Sequence, residues 1–302
     1  MRRHMASAAL LVALSVVFPA HAQEEIKVVA SFSILGDFVA NVGGDRTLVA
    51  TLVGPNGNAH TYSPSPADAK KIADAAIVFV NGLGFEGWLD RLIKASATKA
   101  PIIVATKGVK PIERGGDRDH DHDHDHGRVD PHAWQSVANA RIYVGNIRDA
   151  LIAIDAAGKE TYVANAIAYL AKLDALEQEV RTGIATIPID RRRAISSHKA
   201  FGYFEDAYGI RFSAPQGVST DAEASAKDVA SIITQVKRQG VAGVFLENVT
   251  DPRLMKQIAS ESGARVGGML YSDALTDKKG DATTYIDLIH HNLRQLVGAL
   301  AN

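Results

Sequence analysis

The chain has 302 residues, of which 46% are hydrophobic and 22% are charged, and its 33 basic and 34 acidic residues give a formal net charge of −1. This composition supports a sizeable core and excludes a largely disordered chain, and the near-neutral charge argues against a nucleic-acid-binding protein. Because there are no cysteines, thiolate catalysis, cysteine-ligated zinc, iron–sulfur clusters and disulfides are all excluded.

The first 22 residues have the pattern of an export signal. A short basic start is followed by an apolar run over residues 6–18 and by the A-x-A cleavage pattern Ala20-His21-Ala22. The apolar run is too short to span a bilayer comfortably, which favours cleavage after Ala22 over a retained membrane anchor. We therefore expect an exported protein whose mature part begins at residue 23.

Short apolar runs then alternate with helical patterns. Strands are predicted over 26–32, 47–53, 76–81 and 102–105, and helices over 34–42, 66–73 and 88–96. Ser65 is a suitable cap for the helix over 66–73, and Pro66 suits its first position. This alternation predicts a mostly parallel sheet and the α/β class.

A helix is predicted over 134–153, followed by an unusually long helical pattern over 159–187. At 1.5 Å per residue such a helix would cover roughly 40 Å, enough to traverse one lobe and join two. The alternation then restarts, with strands predicted over 194–196, 210–213, 243–247 and 265–269 and helices over 200–207, 226–239, 252–262 and 283–300. We therefore predict two α/β lobes, each with a mostly parallel β-sheet flanked by helices, joined by one long rigid α-helix.

The predicted domain organisation follows from this pattern. It consists of a signal peptide over 1–22, an N-terminal lobe over 23–157, a linking helix over 158–188 and a C-terminal lobe over 189–302.

Residues 115–128 interrupt the pattern of the N-terminal lobe, because they contain no apolar side chain and are typical of a solvated loop. Within them, four histidines alternate strictly with aspartates: His120, His122, His124 and His126. Mobile imidazoles with an unperturbed pKa are mostly neutral at pH 7 and can bind zinc weakly. We interpret this His/Asp loop as an accessory metal-capture segment. A solvated insertion with incidental metal affinity is the alternative.

Four side chains from four separate loops are candidate metal ligands, namely His60, His132, His198 and Asp273. Three of them follow predicted strands, at the edge where ligands bind in open α/β sheets, and His132 precedes a helix. Two precede the long helix and two follow it, so a site built from all four would lie between the lobes. Each alone would be an ordinary loop residue, but imidazole and carboxylate are the zinc ligands left without cysteine, and four of them fill a tetrahedron.

The surroundings of these four residues resemble a known family. The motifs that carry the resemblance are NAHTYSPSP at 58–66, DPHAW at 130–134, SHKAFGYF at 197–204 and YSD at 271–273. In this order they are similar to the cluster A-I solute-binding proteins, the periplasmic zinc and manganese receptors of ABC importers. The resemblance covers essentially the whole mature chain. It implies that His60, His132, His198 and Asp273 hold the metal between the lobes of a periplasmic protein.

The resemblance also bears on metal and partners. Its manganese members typically carry a glutamate where this chain has His198, and its zinc members typically carry a histidine-rich insertion, so Zn²⁺ is favoured as the transported ligand. The implied partner is the membrane permease of a zinc ABC importer. A periplasmic zinc metallochaperone could dock on the His/Asp loop, and we expect a monomer. Glu247 is a candidate for a carboxylate that fixes the tautomer of a metal-binding imidazole.

Three other functions remain open from the sequence. The first is a manganese receptor of the same family. The second is a zinc-dependent hydrolase, which requires that Asp273 does not ligate, because a catalytic zinc keeps one position for water. The third is an adhesin or passive zinc buffer. Neither H-E-x-x-H nor a G-x-S-x-G motif occurs, so we predict that the protein is not an enzyme.

Overall fold

The computed structural model describes residues 25–113, 129–241 and 243–301. The predicted signal peptide and the His/Asp loop lie outside the described residues. Across the described part of the chain, no helix combines the length and the apolar character that a membrane crossing requires.

The first lobe is built on a four-stranded parallel sheet with the strand order β2-β1-β3-β4. Its strands are β1 (Ile26–Phe32), β2 (Thr47–Val53), β3 (Ile77–Val80) and β4 (Ile102–Val104). Its helices are α1 (Ser33–Gly43), α2 (Pro66–Ala73), α3 (Leu89–Ser96) and α4 (Val137–Ile154). All four residues of β3 are buried, as expected for a parallel strand that is covered by helices on both faces.

The second lobe repeats this architecture with the strand order β6-β5-β7-β8, again all parallel. Its strands are β5 (Arg193–Ile195), β6 (Arg211–Ser213), β7 (Gly243–Glu247) and β8 (Arg265–Leu270). Its helices are α6 (Gly202–Tyr208), α7 (Ala226–Gln239), α8 (Pro252–Ser262) and α9 (Tyr285–Leu300).

The linking helix α5 (Lys159–Ala185) has 27 residues, which corresponds to about 40 Å. It packs against α1 and α4 of the first lobe and against α9 of the second. The prediction of two α/β lobes with parallel sheets and one long helix is therefore confirmed. The exact domain boundaries stay a prediction.

Helix α9 gives the lobes a second connection that the sequence did not indicate. The backbone N–H of Tyr285 donates to Oδ2 of Asp37 on α1 at 3.0 Å, and the Tyr285 hydroxyl donates to the carbonyl of Trp134 at 2.7 Å. Phe38, Trp134 and Tyr285 belong to one apolar cluster that contains buried residues of both lobes. The two lobes therefore share a core.

The start of α2 confirms the predicted cap at Ser65. Its hydroxyl accepts a hydrogen bond from the backbone of Asp68 at 3.4 Å, and its own N–H donates to the Asp68 carboxylate at 2.9 Å. Pro66 takes the first helical position. The same carboxylate accepts from the Tyr62 hydroxyl at 2.8 Å, so the chain that follows His60 is fixed to α2.

One predicted element was wrong in detail. The helix expected over 134–153 is divided into a 3-10 turn, Ala133–Gln135, and α4, with Ser136 extended at φ −98° and ψ 122°. The side chains of Trp134 and Gln135 both donate to the carbonyl of Ser272 at 2.8 Å. These two hydrogen bonds attach the 3-10 turn to the loop of the second lobe that carries Asp273.

Candidate metal centre

The structure brings the four predicted ligands together in one cluster between the lobes. His60, His132, His198 and Asp273 each offer one ligand atom, and these atoms all lie within 4.8 Å of one another. His60 follows β2, His198 follows β5, Asp273 follows β8, and His132 precedes the 3-10 turn. His60 is 8% exposed and the other three are completely buried.

The distances between the ligand atoms suit a single ion. The Nε2 atom of His132 lies 3.2 Å from Nε2 of His60 and 3.3 Å from Nε2 of His198. Oδ2 of Asp273 lies 3.3 Å from Nε2 of His60 and 3.2 Å from Nε2 of His198, and Oδ1 lies 3.5 Å from Nε2 of His132. A tetrahedron with metal–nitrogen bonds of about 2.0–2.1 Å has edges of about 3.3–3.4 Å.

The buried carboxylate of Asp273 also favours a bound cation. Neither carboxylate oxygen of Asp273 receives a conventional hydrogen bond from the described residues, although a buried carboxylate without donors is costly. A divalent ion would satisfy this carboxylate and the imidazole lone pairs around it at once. The chemistry of the donor set therefore fits a metal.

Burial and neighbouring charges shift the pKa values of the candidate ligands in different directions. Burial lowers the pKa of His60. Burial also disfavours the charged form of His198, but the carboxylates of Glu247 and Asp273 outweigh it and raise the pKa of His198 well above its usual value. For Asp273, burial is outweighed by His198 and His132, so its pKa lies well below the usual range. The aspartate is therefore anionic, and a metal ion competes with a proton at His198.

Glu247 lies directly behind His198 and is itself 1% exposed. Its Oε1 atom accepts from the backbone N–H groups of Ser197 at 2.6 Å and His198 at 3.1 Å. Its Oε2 atom lies 2.7 Å from Nδ1 of His198. The ring N–H is not aligned for a conventional hydrogen bond, so this last contact is electrostatic. The structure thus places the carboxylate that the sequence suggested against one of the ligands.

Asp130 is a site residue that sequence reasoning missed. It is completely buried, and its Oδ1 atom accepts from the backbone N–H of His132 at 3.0 Å and lies 2.8 Å from Nδ1 of His132. A carboxylate at Nδ1 holds the proton there and leaves Nε2 free to face a metal. The signal was present in the DPH motif, since aspartate commonly bonds the backbone two residues ahead.

A cavity of about 660 Å³ borders the cluster on the side of His60. Its walls include Tyr62, Phe85, Trp88, Val129 and Asp221. His60 is the one member of the cluster that lines it, which agrees with the residual exposure of this imidazole. The open side of the cluster is therefore the His60 side.

The two-lobed α/β fold and the buried cluster of three histidines and one aspartate define a metal-binding solute receptor. The chain belongs to the family described as zinc-uptake complex component A, periplasmic, whose model matches residues 28–299.

The chain is also similar to several characterised proteins. It is 34% identical over 278 residues to the manganese-binding lipoprotein MntA of Halalkalibacterium halodurans, a match that covers 92% of this chain and 89% of the relative. It is 33% identical over 273 residues to the iron-binding protein YfeA of Yersinia pestis, covering 90% and 85% respectively.

Solved structures agree on the fold. A manganese-bound periplasmic metal-binding protein from Candidatus Liberibacter asiaticus has a TM-score of 0.80 and 31% identity, covering 91% of this chain and all of that one. The periplasmic zinc-binding protein TroA of Treponema pallidum has a TM-score of 0.84 over 92% of this chain and all of that one. At 24% identity, the second similarity concerns the fold alone.

Proposed function

We propose that the protein is a periplasmic receptor that captures Zn²⁺ with His60, His132, His198 and Asp273 and delivers it to the permease of an ABC importer. The observation that carries this proposal is the convergence of three imidazole nitrogens and one carboxylate: Nε2 of His132 lies 3.2–3.3 Å from the other two imidazoles, and the Asp273 carboxylate lies 3.2–3.5 Å from all three. A donor set rich in nitrogen suits zinc, whereas manganese prefers oxygen ligands and a larger coordination number. The captured ion is cargo and not a resident cofactor.

A manganese receptor is the second candidate, because two specific observations favour it. Similar proteins are named as manganese- or iron-binding. In addition, both oxygens of Asp273 face the histidines, so a bidentate carboxylate could raise the number of donors to five. Binding strength does not separate the candidates, since most sites of this kind hold Zn²⁺ more tightly than Mn²⁺.

Uptake measurements distinguish the two candidates. We expect a strain lacking this protein to grow poorly under zinc chelation, to recover with the intact gene, and to accumulate radioactive zinc only when the gene is present. Recovery of manganese uptake without zinc uptake would overturn the choice of metal. Anomalous diffraction at the zinc edge on protein loaded with zinc tests the ligand set independently, because it locates the ion relative to the four side chains.

Transport is favoured over hydrolysis by the position of Asp273. Its carboxylate occupies the fourth corner of the cluster, whereas a catalytic zinc keeps that corner for water. The family relationship supports the same conclusion, since similar proteins are named as substrate-binding lipoproteins of ABC transporters. The proposal therefore includes a membrane permease as partner and an exported, monomeric receptor that is cleaved after Ala22.

We further propose that His120, His122, His124 and His126 collect zinc for the main site. The anchors of the His/Asp loop support this, because Glu113 and Val129 form an antiparallel bridge and Val129 also lines the cavity at His60. His126 precedes Val129 by three positions, a reach of at most about 11 Å. The loop is also the expected docking place for a periplasmic metallochaperone.

Deletion of residues 119–126 tests the role of the loop. We expect one tight zinc site to remain, with fewer weakly bound ions and slower loading from a zinc-loaded donor. A variant with the four histidines changed to serine keeps the loop length and serves as the comparison. Loss of the tight site in either variant would contradict the assignment of the main site, and unchanged loading would contradict the capture role.

A further inference from the structure

Asn58 shapes the turn that carries His60. Its Oδ1 atom accepts a hydrogen bond from the backbone N–H of His60 at 3.0 Å and faces the N–H of Thr61 at 3.4 Å. An asparagine that bonds the backbone two residues ahead fixes the local turn. The position of the His60 imidazole in the cluster therefore depends on this amide.

The same amide reaches into the other lobe. Nδ2 of Asn58 donates to Oγ1 of Thr220 at 2.9 Å and to the carbonyl of Val249 at 3.1 Å. The Thr220 hydroxyl also lies 3.2 Å from Oδ1 of Asn58. One side chain of the first lobe is thus bonded to two loops of the second lobe.

The chain that leads to Thr220 is in turn attached to the loop of His198. The backbone N–H of Lys199 donates to the carbonyl of Gly217 at 2.9 Å, and the N–H of Gln216 donates to the carbonyl of Ser197 at 3.3 Å. His198 and Gln216 form an isolated parallel bridge. The turn of His60 and the loop of His198 are therefore connected through Asn58 and Thr220.

On the opposite side of the cluster, the lobes are joined by a completely buried contact. There, Trp134 and Gln135 bond the carbonyl of Ser272, next to Asp273, and all three residues are completely buried. The Asn58–Thr220 contact is only partly buried. Residues on both sides of Thr220, namely Ser219 and Asp221, line the cavity that borders His60. Of these two contacts between the lobes, the Asn58–Thr220 contact beside the cavity is the more accessible to solvent.

We infer that Asn58 and Thr220 are positioning residues that hold His60 against His198, and that breaking their hydrogen bond is the step that limits release of the metal through the cavity. This inference rests on the proposed function, since it assumes that the four-residue cluster holds an ion. When the bond breaks, the His60 turn is held to the second lobe by fewer hydrogen bonds, which include those of Asn58 to Val249 and of Asn56 to Leu275, and it moves away more readily. The ion then loses one of four ligands on the side that faces solvent.

The test replaces one hydroxyl group by a methyl group. Thr220→Val removes the bond to Asn58 and leaves the bond between Asn58 and the His60 N–H in place. Thr250→Val is the matched control, because the Thr250 hydroxyl is buried nearby and has no hydrogen-bond partner among the described residues. Thr220→Ser retains the hydroxyl and is the rescue variant. Release is followed by stopped-flow mixing of zinc-loaded full-length mature protein with excess chelator.

We expect Thr220→Val to release zinc about fivefold faster than the wild type, the factor expected from loss of one hydrogen bond of ordinary net strength. Thr250→Val and Thr220→Ser should release zinc at the wild-type rate. The absorption spectrum of the Co²⁺-loaded protein should be the same in all four proteins, since no ligand changes. A role in general stability would instead lower the melting temperature without a selective increase in the release rate.

Equal release rates for Thr220→Val and Thr250→Val would overturn the inference, as would a changed Co²⁺ spectrum in Thr220→Val. Failure of the proposed function has a different signature. In that case the wild-type protein itself would bind no zinc stoichiometrically, or His198→Ala would bind it as tightly as the wild type.

Discussion

The Nδ1 atom of His198 lies 2.7 Å from Oε2 of Glu247, and both side chains are buried at the junction of β5 and β7. The carboxylate holds the His198 loop through two backbone N–H groups as well. It therefore orients the imidazole and raises its basicity, the role that carboxylates behind metal-bound histidines commonly have.

Replacement of Glu247 by glutamine separates these two effects. The amide oxygen can still accept from the backbone of Ser197 and His198, but the negative charge beside Nδ1 is lost. We expect Glu247→Gln to fold normally and to bind zinc about tenfold more weakly, as measured by competition with a fluorescent chelator. Glu261→Gln, which changes an exposed carboxylate bonded to Gln257 on α8, is the control. Unchanged affinity in Glu247→Gln would show that the charge has no part in binding.

Asp273 is the only ligand of the proposed set with a negative charge. Asp273→Asn keeps the size of the side chain but replaces the anion with a neutral group, so three imidazoles must hold the ion alone. We expect the zinc affinity to fall by more than about 100-fold. Loss of a direct ligand should weaken binding more than loss of a residue that only hydrogen-bonds a ligand, which typically costs about 10- to 100-fold. Isothermal titration measures this change, and Asp277→Asn, on an exposed loop, should bind as the wild type does. Wild-type affinity in Asp273→Asn would remove this residue from the site.

The element pattern and the four candidate ligands could be predicted from the sequence because both depend on local signals. Apolar runs mark the strands β1 to β8, capping residues mark the starts of helices, and His60, His198 and Asp273 lie in the loops that follow strands. Parallel strands place their carboxyl ends at one edge of a sheet, so residues far apart in the chain can be expected to meet there.

The contacts between the lobes could not be predicted in the same way. Periodicity shows which face of α9 is apolar, but not that Tyr285 bonds Asp37 and Trp134. The 3-10 turn before Ser136 likewise has its partner in the other lobe, because the carbonyl that Trp134 and Gln135 share belongs to Ser272. Such features depend on tertiary partners that no local pattern encodes.

The affinity for zinc should depend on pH, because each imidazole must be unprotonated to bind metal. Burial keeps His60 neutral by lowering its pKa. For His198, burial is outweighed by the nearby carboxylates of Glu247 and Asp273, which raise its pKa in the metal-free protein above the ordinary value of 6.5. As the pH falls through this raised pKa, a proton occupies His198 and the affinity declines. Imidazoles with an ordinary pKa would place the onset of this decline at about pH 6.5, whereas the carboxylates beside His198 move the onset to higher pH.

Chelator competition at several pH values between 5.5 and 8.5 checks this expectation. We expect the dissociation constant to increase by up to about tenfold per pH unit while one proton competes with the metal. A constant affinity over the whole range would contradict an imidazole-dominated site.

Asp37 should make the stability of the metal-free protein depend on pH independently of the metal centre. Burial raises its pKa from 3.8 to about 6, although it accepts hydrogen bonds from Tyr285 and Tyr169. Because the folded-state pKa lies above the unfolded value, the folded protein takes up a proton first as the pH falls. The Asp37 contribution therefore stabilises the folded state as the pH falls from about 7 towards 4, and this contribution is lost as the pH rises through 6.

Comparison with Asp37→Asn isolates this contribution, because the amide does not titrate and its oxygen can still accept from the Tyr285 N–H. We expect the free energy of unfolding of the wild type, relative to the variant, to be about 1 kcal/mol higher at pH 5 than at pH 7.5. Urea denaturation of metal-free protein at the two pH values measures it. The histidines titrate equally in both proteins, so their effects cancel in the difference. A difference that is the same at both pH values would mean that Asp37 ionises normally, and that the junction of α1 and α9 admits enough water to solvate its charge.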